Sequence, residues 1–588
     1  MNVAGSQSEV GSPGRLARLR ARVFGAGWRD ALLGGALSGA GLVLSFPPLS
    51  LWPACLLVVW PLCRVCDAVV RREWSARLAA FWAAVGAAPA WAWLVRWAGE
   101  ASVAGFPFLI AYLSLYTWLA VWVITRLRRA GWPAIASVPL GWLGVEFLRG
   151  HLAFEGFPWF LSAQPMIDAP ALSWPASLGG VYLVGGLLAL AAAWVDGVAF
   201  GPRRVWSIAV GALLLAGWGG WGALWIAGDS PGSGTLRVGL IQTNVPQSIR
   251  HGWATEDRWE DWLTMRALLT RAAGYGGGPP DVLVAPETMF PGFVLQADGA
   301  EEEKRVGVAW SIAPDPETGQ ARAIRAETVR DDLLDTQEAL GIPLLMGATR
   351  HEGFRIEPVG DRLSYESDRR FNGVFLLEGG GVSKTTYDKR TLTPFGEVMP
   401  YISAIPWLER ALTAVGARGM RFDLAAGEAR TVFEIPFGEG VARVVTPICY
   451  EATVGGACRD LVFDRGGMRR ADLLVNMTND GWFYDAAGGR AFHLLASRWR
   501  CVELDTAMAR SANTGISAIV DRRGVVVESL PPWTSGALMG EVELGGGVTP
   551  YARFGELPGR VGLTVTAVGV GVSFAGRRGK KSNGSGPG

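Results

Sequence analysis

The run ALLGGALSGAGLVLSFPPLSLWPACLLVVWPLC, residues 31–63, contains no charged side chain. A helix that crosses a bilayer needs about 20 consecutive apolar residues, so this run is too long for one crossing. Pro47 and Pro48 lie near its middle, and proline ends or kinks a helix. The run therefore predicts two helices joined by a bend, each on the short side for a membrane crossing.

Apolar runs of this kind continue to residue 228. Half of the 588 residues are hydrophobic and only 18% are charged, which is low for a soluble enzyme of this length. The 27 tryptophans also favour a membrane protein, because tryptophan prefers the membrane–water interface. With the first pair, the further runs predict seven spans; these runs are 78–95, 101–125, 130–145, 169–195 and 205–228.

The positions of arginine predict the orientation. Basic residues gather in the N-terminal tail and in every second connection, and such residues stay in the cytoplasm. Seven crossings then place the second half of the chain in the periplasm. An apolar run at 561–576, followed by a basic tail, predicts one return crossing. We therefore expect a multi-pass protein of the bacterial inner membrane.

The pattern changes after the polar linker DSPGSGT, residues 229–235. Short β-branched runs then alternate with longer segments, which is typical of an α/β or mixed sandwich. The charged stretch 298–333 is expected to be a surface insertion. The predicted strands are 236–241, 281–285, 342–348, 373–377, 441–448, 473–477 and 516–520.

The chain is thus predicted to have five parts. They are a basic cytoplasmic tail (1–29), a seven-helix α-helical transmembrane bundle (30–228), a periplasmic catalytic domain (236–548), a C-terminal transmembrane helix (557–576) and a second basic cytoplasmic tail (577–588).

Composition argues against several classes of protein. A net charge of +2 provides no overall field for nucleic acid. The four histidines lack metal-ligand spacing and the six cysteines are scattered, so we predict no metal, no cofactor and no disulfide framework. Cys458 and Cys501 would lie on the oxidising side, and the sequence leaves open whether they pair.

Three residues follow extended runs closely: Glu287 and Cys449 come after predicted strands, and Lys389 comes just past the run GVSKTTY. Glu287 lies in DVLVAPETMFP, Lys389 in YDKRTLTPFGEVMP and Cys449 in ARVVTPICYEATV. Strand ends combine a rigid scaffold with free loops, and functional groups collect there. Taken singly, each has an ordinary interpretation: a solvated turn, a surface lysine and a small buried side chain. Their combination and order favour a shared site.

These strings resemble the apolipoprotein N-acyltransferases, a family within the nitrilase superfamily. NMTNDGWF (476–483), RSANTGISAIVDRRG (510–524) and GFPWF (156–160) extend the resemblance over nearly the whole chain. It implies a nitrilase-like α/β/β/α sandwich with a catalytic triad of Glu287, Lys389 and Cys449. The chain departs from the family pattern at Val398, where an aromatic residue is usual, and in the long stretch 298–333.

The resemblance also implies the reaction and its partners. An acyl chain would pass from a phospholipid, expected to be phosphatidylethanolamine, to a thioester on Cys449. It would then pass to the α-amino group of the S-diacylglyceryl-cysteine that begins a lipoprotein. No cofactor is implied, and we expect a monomer.

Several supporting residues keep two interpretations. Glu397 is either a further active-site carboxylate or part of a structural salt bridge, while Tyr450, through its backbone N–H, and Glu451 are candidates beside the nucleophile. Arg149 would meet a lipid phosphate or anchor the interface. A group of aromatic residues forms either an apolar lid or ordinary packing: Trp253, Phe290, Phe293 and Trp482.

Two other functions remain open. A membrane-tethered amidase or nitrilase would use the same triad on a small soluble substrate. A transporter with a soluble regulatory domain would need ionisable residues inside its spans, and the apolar runs have almost none.

Overall fold

The fold is described from a computed structural model of the chain. It describes residues 27–152, 154–200, 204–228, 232–246, 255–312, 322–359, 362–401, 407, 424–484 and 486–582.

A helix covers each of the apolar runs of the first half. The helices of this half are α1 Trp28–Ser45, α2 Leu56–Arg71, α3 Ala76–Leu94, α4 Trp97–Ala101, α5 Gly105–Arg129, α6 Ala134–His151, α7 Pro170–Ser173, α8 Ala176–Phe200 and α9 Arg204–Ala227. The predicted break at Pro47-Pro48 is confirmed, because α1 ends at Ser45 and α2 begins at Leu56.

Small residues let these helices approach closely. A Cβ on Gly35 of α1 would lie 1.9 Å from the carbonyl oxygen of Ala83 in α3. In the other direction, a Cβ on Gly86 of α3 would lie 2.1 Å from the carbonyl oxygen of Leu32. In a lipid bilayer, burial of apolar surface does not drive helices together, and close backbone contact through small residues stabilises their association instead. Residues larger than glycine at either position would push α1 and α3 apart.

Within the described residues, four segments have the length and apolar composition to cross a membrane. They are Trp52–Arg71, Gly105–Arg129, Ala176–Phe200 and Leu557–Phe574. The last belongs to the C-terminal helix, Leu557–Ser582. The full number of crossings and the side on which each domain lies stay predictions.

Among its described residues, the second half contains two six-stranded sheets and two separate pairs of antiparallel strands. The strands are β1 Gly234–Gln242, β2 Val282–Val284, β3 Ala309–Ile312, β4 Arg322–Arg325, β5 Leu344–Glu352, β6 Arg355–Val359, β7 Arg362–Glu366, β8 Arg369–Glu378, β9 Gly381–Asp388, β10 Phe433–Phe437, β11 Gly440–Val445, β12 Leu473–Thr478, β13 Met508–Ala512, β14 Ala518–Val520, β15 Val526–Ser529 and β16 Gly536–Leu544.

The first sheet has the order β16-β1-β2-β5-β8-β9 and the second the order β10-β11-β12-β13-β14-β15. In each, three central strands are parallel and the outer pairs are antiparallel. The two separate pairs are β3 with β4 and β6 with β7. The remaining helices are α10 Thr255–Ala273, α11 Ala297–Val306, α12 Thr328–Leu340, α13 Gly455–Val462, α14 Ala487–Leu504, α15 Pro550–Phe554 and α16 Leu557–Ser582.

The sheets pack face to face with helices outside them. Val238 of β1 and Val475 of β12 share the core between the sheets. Leu283 of β2 packs on the other face of the first sheet, with Trp262 of α10 and Leu333 of α12. Helix, sheet, sheet and helix thus form four layers, because alternate residues of each strand point to opposite faces.

The prediction that 298–333 is a surface insertion was wrong for its described part. Trp310 and Val329 are 2% and 0% exposed and lie in the core with α10 and α12. The charges misled the prediction, because most of them lie on the outer face of α11 and α12 while the inner face is packed in the core. Glu301 and Lys304, for example, are exposed while Ala300 is buried.

Helix α14 joins the two halves. Leu494, Cys501 and Leu504 pack in one core with strands of the second sheet, whereas Phe492 and Trp499 pack in the core of the first-half helices. Trp499 Nε1 also donates to the carbonyl of Gln164 at 3.0 Å. A helix that is apolar on two faces must be buried on both, so α14 fixes the half that contains the two sheets on the helical half.

Candidate active site

Glu287 lies just after β2 and is 6% exposed. Its Oε1 accepts a hydrogen bond from Asn372 Nδ2 at 2.7 Å, and its Oε2 accepts one from the backbone N–H of Asn479 at 2.7 Å. Both oxygens are therefore oriented by neutral donors. A carboxylate held in this way points in a fixed direction and keeps a lone pair for a proton.

Lys389 follows β9 and is 1% exposed. Its Nζ lies 2.6 Å from Glu397 Oε2 and 3.8 Å from Glu287 Oε1. Burial alone would lower the pKa of the lysine, but the carboxylates of Glu397 and Glu287 raise it above its usual value. Lys389 is therefore a fixed ammonium in the site.

Glu397 makes the tighter of the two ion pairs. It also accepts hydrogen bonds from the backbone N–H of Thr393 at 2.8 Å and from Asn372 Nδ2 at 3.1 Å. Burial favours the protonated acid, yet the Lys389 ammonium and these donors lower the pKa of the carboxyl. The two interpretations from the sequence merge here, since a salt bridge holds this carboxylate inside the site.

Cys449 begins a 3-10 turn, Cys449–Thr453, after β11 and has a φ of 49°. The left-handed region is sparsely populated by non-glycine residues, so the turn is strained at the candidate nucleophile. Burial and the nearby Glu287 carboxylate raise the pKa of the thiol, against the lowering effect of Lys389. At neutral pH the thiol keeps its proton, and a nucleophilic role requires a base beside it.

Glu451 ties the cysteine turn to the lysine loop. Its carboxylate is 1% exposed and accepts hydrogen bonds from the backbone N–H groups of Ile448, Arg390 and Thr391, each at 2.8 Å. The hydroxyl of Tyr387 adds a donor at 3.0 Å. Glu451 therefore positions the turn through these hydrogen bonds.

The helical half reaches the turn through the GFPWF loop. Trp159 Nε1 donates to Thr453 Oγ1 at 2.9 Å, and its ring lies 5.9 Å from that of Tyr450. Tyr450 itself is 5% exposed. The turn that carries Cys449 thus packs directly on a loop between two helices of the helical half.

The remaining predicted residues are spread more widely. Phe290 is 5% exposed in the core with Trp262, and the ring of Phe293 stacks on Tyr365 at 4.8 Å. Trp482 is half-buried in the 3-10 turn Asp480–Phe483. Trp253 lies outside the described residues.

Arg149 is inside the helical half. It is 4% exposed, donates to the carbonyl of Phe160 at 2.9 Å, and faces a small internal cavity with Glu146 and Tyr116. Its contact with a lipid phosphate stays a prediction. Cys458 and Cys501, whose pairing the sequence left open, are buried free thiols.

Similarity to known proteins covers both halves. The family model of the apolipoprotein N-acyltransferase N-terminal domain matches residues 38–194, and that of carbon-nitrogen hydrolase matches residues 237–548. The apolipoprotein N-acyltransferase of Azotobacter vinelandii is 32% identical over 92% of this chain and 95% of its own length. The one of Geobacter metallireducens is 28% identical over 92% of this chain and 94% of its own.

The chain belongs to the apolipoprotein N-acyltransferase family. It is thus an acyltransferase whose second half is a carbon-nitrogen hydrolase domain, and the resemblance drawn from the sequence is confirmed. Among solved structures, an amidase from Nesterenkonia sp. aligns with 52% of this chain and 90% of its own at 17% identity, with a TM-score of 0.32.

Sequence reasoning missed Asn372 in this apolipoprotein N-acyltransferase family member. Its amide bridges Glu287 and Glu397 from inside β8, where it is 4% exposed. A signal was present, since RRFNGVF places one amide in a buried apolar strand, and a buried polar group needs a partner. Asn479 lies in the NMTNDGWF string, yet its contact uses the backbone and no side-chain pattern reveals it.

Proposed function

We propose that this protein transfers an acyl chain from a phospholipid to the α-amino group of an N-terminal S-diacylglyceryl-cysteine, through a thioester on Cys449. One observation carries the proposal: Glu287 and Lys389 meet beside Cys449 on a turn that rests on the membrane half through Trp159. A nucleophile at that seam is suited to substrates anchored in a bilayer.

In the first half-reaction Glu287 takes the thiol proton while the sulfur attacks the ester carbonyl carbon. The Lys389 ammonium and the backbone N–H of Tyr450 stabilise the oxyanion of the tetrahedral intermediate. The C–O bond to glycerol then breaks, Glu287 returns the proton to the leaving oxygen, and lysophospholipid departs. An acyl thioester remains on Cys449.

In the second half-reaction the α-amine attacks the thioester carbonyl. Glu287 accepts a proton from the attacking nitrogen, the C–S bond breaks, and the sulfur leaves to be reprotonated from Glu287. The products are an amide and the original thiol, so atoms and charges balance without ATP. Exclusion of water matters between the two steps, because hydrolysis of the thioester would waste the acyl group.

Glu397 and Asn372 support the same steps indirectly, through their contacts with Lys389 and Glu287. Glu397 takes the closer ion pair with Lys389, at 2.6 Å, and so leaves the carboxylate of Glu287, at 3.8 Å, available for the proton. Asn372 donates to both carboxylates and keeps two like charges at a fixed separation. Glu451 and Tyr450 set the turn that carries the thiol.

The test uses purified protein in detergent with phosphatidylethanolamine and a diacylglyceryl-cysteine peptide. We expect an acyl thioester on Cys449 in the absence of peptide and its conversion to N-acyl peptide on addition. Cys449→Ala should give neither product. Transfer retained in that variant would show that the nucleophile is misassigned.

The competing function is that of an amidase acting on a small soluble C–N substrate, which the carbon-nitrogen hydrolase match alone would allow. The same preparation separates the two. Release of ammonia from soluble amides, with no acyl group on Cys449 after incubation with phospholipid, would favour the amidase.

We also propose the topology stated from the arginine positions: an inner-membrane protein with eight crossings, a periplasmic catalytic domain and both termini in the cytoplasm. A reporter fused after residue 588 should report the cytoplasm, and one inserted near residue 310 the periplasm. Opposite results would overturn it. We further propose a monomer, which the molecular mass in detergent tests.

A further inference from the structure

The segment at residues 476–480 contacts both the candidate base and the strand end that leads into the candidate nucleophile. Asn476 Nδ2 donates at 2.8 Å to the carbonyl of Pro447, just before Cys449 in the chain. The backbone N–H of Asn479 donates at 2.7 Å to Glu287 Oε2. Because one short segment makes both contacts, it sets the spacing between the carboxylate of Glu287 and the strand end that carries the thiol.

Asp480, the last residue of this segment, fixes it through buried hydrogen bonds. Its carboxylate accepts hydrogen bonds from Arg510 Nη2 at 2.9 and 3.2 Å and from Thr478 Oγ1 at 3.0 Å, and it lies 2.7 Å from His493 Nδ1. Arg510 Nη1 also donates to Asn476 Oδ1. Asp480 and Arg510 are 1% and 0% exposed. Arg510 therefore holds both ends of the segment through two different acceptors.

The charges of this group act on the thiol. Besides burial, the Glu287 and Asp480 carboxylates raise the pKa of Cys449, while the Lys389 ammonium and a hydrogen bond with Thr478 lower it. Burial would raise the pKa of Asp480 too, but Arg510 and His493 lower it, so this carboxylate is ionised. Burial and Arg510 lower the pKa of His493 against the effect of Asp480, which leaves the imidazole neutral at neutral pH.

We propose that Asp480 and Arg510 are positioning residues of the acyl-transfer site. The pair holds residues 476–480 against Glu287 and Cys449 together, and its balance of charge sets how readily the thiol loses its proton. The inference rests on the proposed function only in taking Cys449 as the nucleophile. Neither side chain belongs to the Glu287–Lys389–Cys449 triad, and neither is assigned a contact with substrate.

The deciding variant is Asp480→Asn, which keeps the shape and removes the negative charge. Arg510 is then uncompensated, so the thiolate of Cys449 becomes more stable. We expect its alkylation by iodoacetamide at pH 7.5 to become roughly threefold to tenfold faster, since one unit of thiol pKa is tenfold in thiolate. Acyl transfer should fall at least about tenfold, because the segment that aligns base and nucleophile loosens.

The double variant D480N/R510Q separates charge from position. With both charges gone, alkylation should return to within about twofold of the unmodified protein, since the local charge balance is restored. Transfer should remain low. Alkylation that stays fast in the double variant, or does not rise in D480N, would overturn the proposal.

A milder change covers the case in which D480N does not fold. Thr478→Val removes one hydroxyl that bonds to Asp480 and to the thiol, and should slow alkylation of Cys449 about threefold. Faster or unchanged alkylation in T478V would contradict the charge argument. Peptide mapping locates the modified cysteine, and Cys449→Ala supplies the blank.

The alkylation measurement needs no lipid, which keeps this inference apart from the proposed function. Alkylation that follows the expected order, with no transfer between phospholipid and lipopeptide in the unmodified protein, would sink the proposed function and leave the positioning pair intact. Normal transfer in the unmodified protein with the wrong order of alkylation would do the reverse.

Discussion

The membrane half and the catalytic half each bury a cluster of charges, and the clusters are built differently. In the membrane half Arg64 pairs with Asp196 at 3.0 Å and Arg128 pairs with Asp67 at 2.6 Å. In the catalytic half one cation, Lys389, faces two carboxylates beside a thiol. In the first cluster each carboxylate has a close arginine of its own, whereas in the second one ammonium serves two carboxylates.

The difference separates a structural cluster from a reactive one. A buried pair with matched charges has every proton where it is most stable, and breaking it leaves an uncompensated charge. When one ammonium serves two carboxylates, its attraction falls with distance, so the closer carboxylate is held more strongly. Glu287 is the more distant partner and is not held in the tight ion pair, in keeping with its proposed role as the base.

The largest effect is expected from Glu287→Gln, which removes the base and keeps the shape. Thioester formation on Cys449 should slow by roughly 10²–10⁴-fold, the usual contribution of general base catalysis. Rapid quench with labelled phospholipid measures it. A variant that forms the thioester at the normal rate would move the role of base to another group.

Breaking an arginine–aspartate pair of the first cluster should instead lower the stability of the protein. Arg64→Met leaves Asp196 buried and unpaired and should lower the free energy of unfolding by about 3 kcal/mol or more. Thermal unfolding in detergent measures the loss, and R64M/D196N should recover most of it. Alkylation of Cys449 in the folded variant should stay within about twofold, since no charge near the thiol has changed. A larger change in the alkylation rate would mean that the first cluster affects the pKa or the position of the Cys449 thiol.

Glu503 lies at the seam between the halves and should make stability depend on pH. Its Oε1 accepts the N–H of Val181, which is freed where α8 is broken at Gly179 and Gly180, and burial raises the pKa of the carboxyl to about 7. A raised folded-state pKa means stability that is present below the unfolded value of 4.5 and lost as pH rises to about 7.

The loss should reach at most about 3 kcal/mol between pH 5 and pH 8. Glu503→Gln keeps an acceptor for Val181 and should remove that part of the pH dependence. Melting temperatures of both proteins across this range provide the comparison. Parallel curves for the two would show that Glu503 does not titrate there.

The smallest effect is expected at the contact between the halves. Trp159→Phe removes the hydrogen bond to Thr453 and leaves a ring against Tyr450. The loss should be about 1 kcal/mol in stability, with a few-fold slower thioester formation because the cysteine turn is less restrained. Thr453→Val is the matched change on the other side, and the double variant should lose little more than either single one.

Local sequence patterns predicted many of the helices and strands. A charge-free run with two prolines predicted α1 and α2, and seven short β-branched runs predicted strands that are present. The strand Met508–Ala512 was not predicted, because its sequence MARSA contains arginine and serine that look solvated. Those polar groups are buried, and Arg510 finds its partners on β12 and the turn after it.

By itself the sequence determined the two halves, the order of Glu287, Lys389 and Cys449, and the place of each just after an extended run. Only the tertiary structure decided that Asn372 bridges two carboxylates and that Asp480 pairs with Arg510 near Cys449. It also decided that α14 is buried on both faces. The reason is physical. Periodicity reports which side of an element is buried, whereas a hydrogen bond or ion pair between distant segments depends on how separate elements pack.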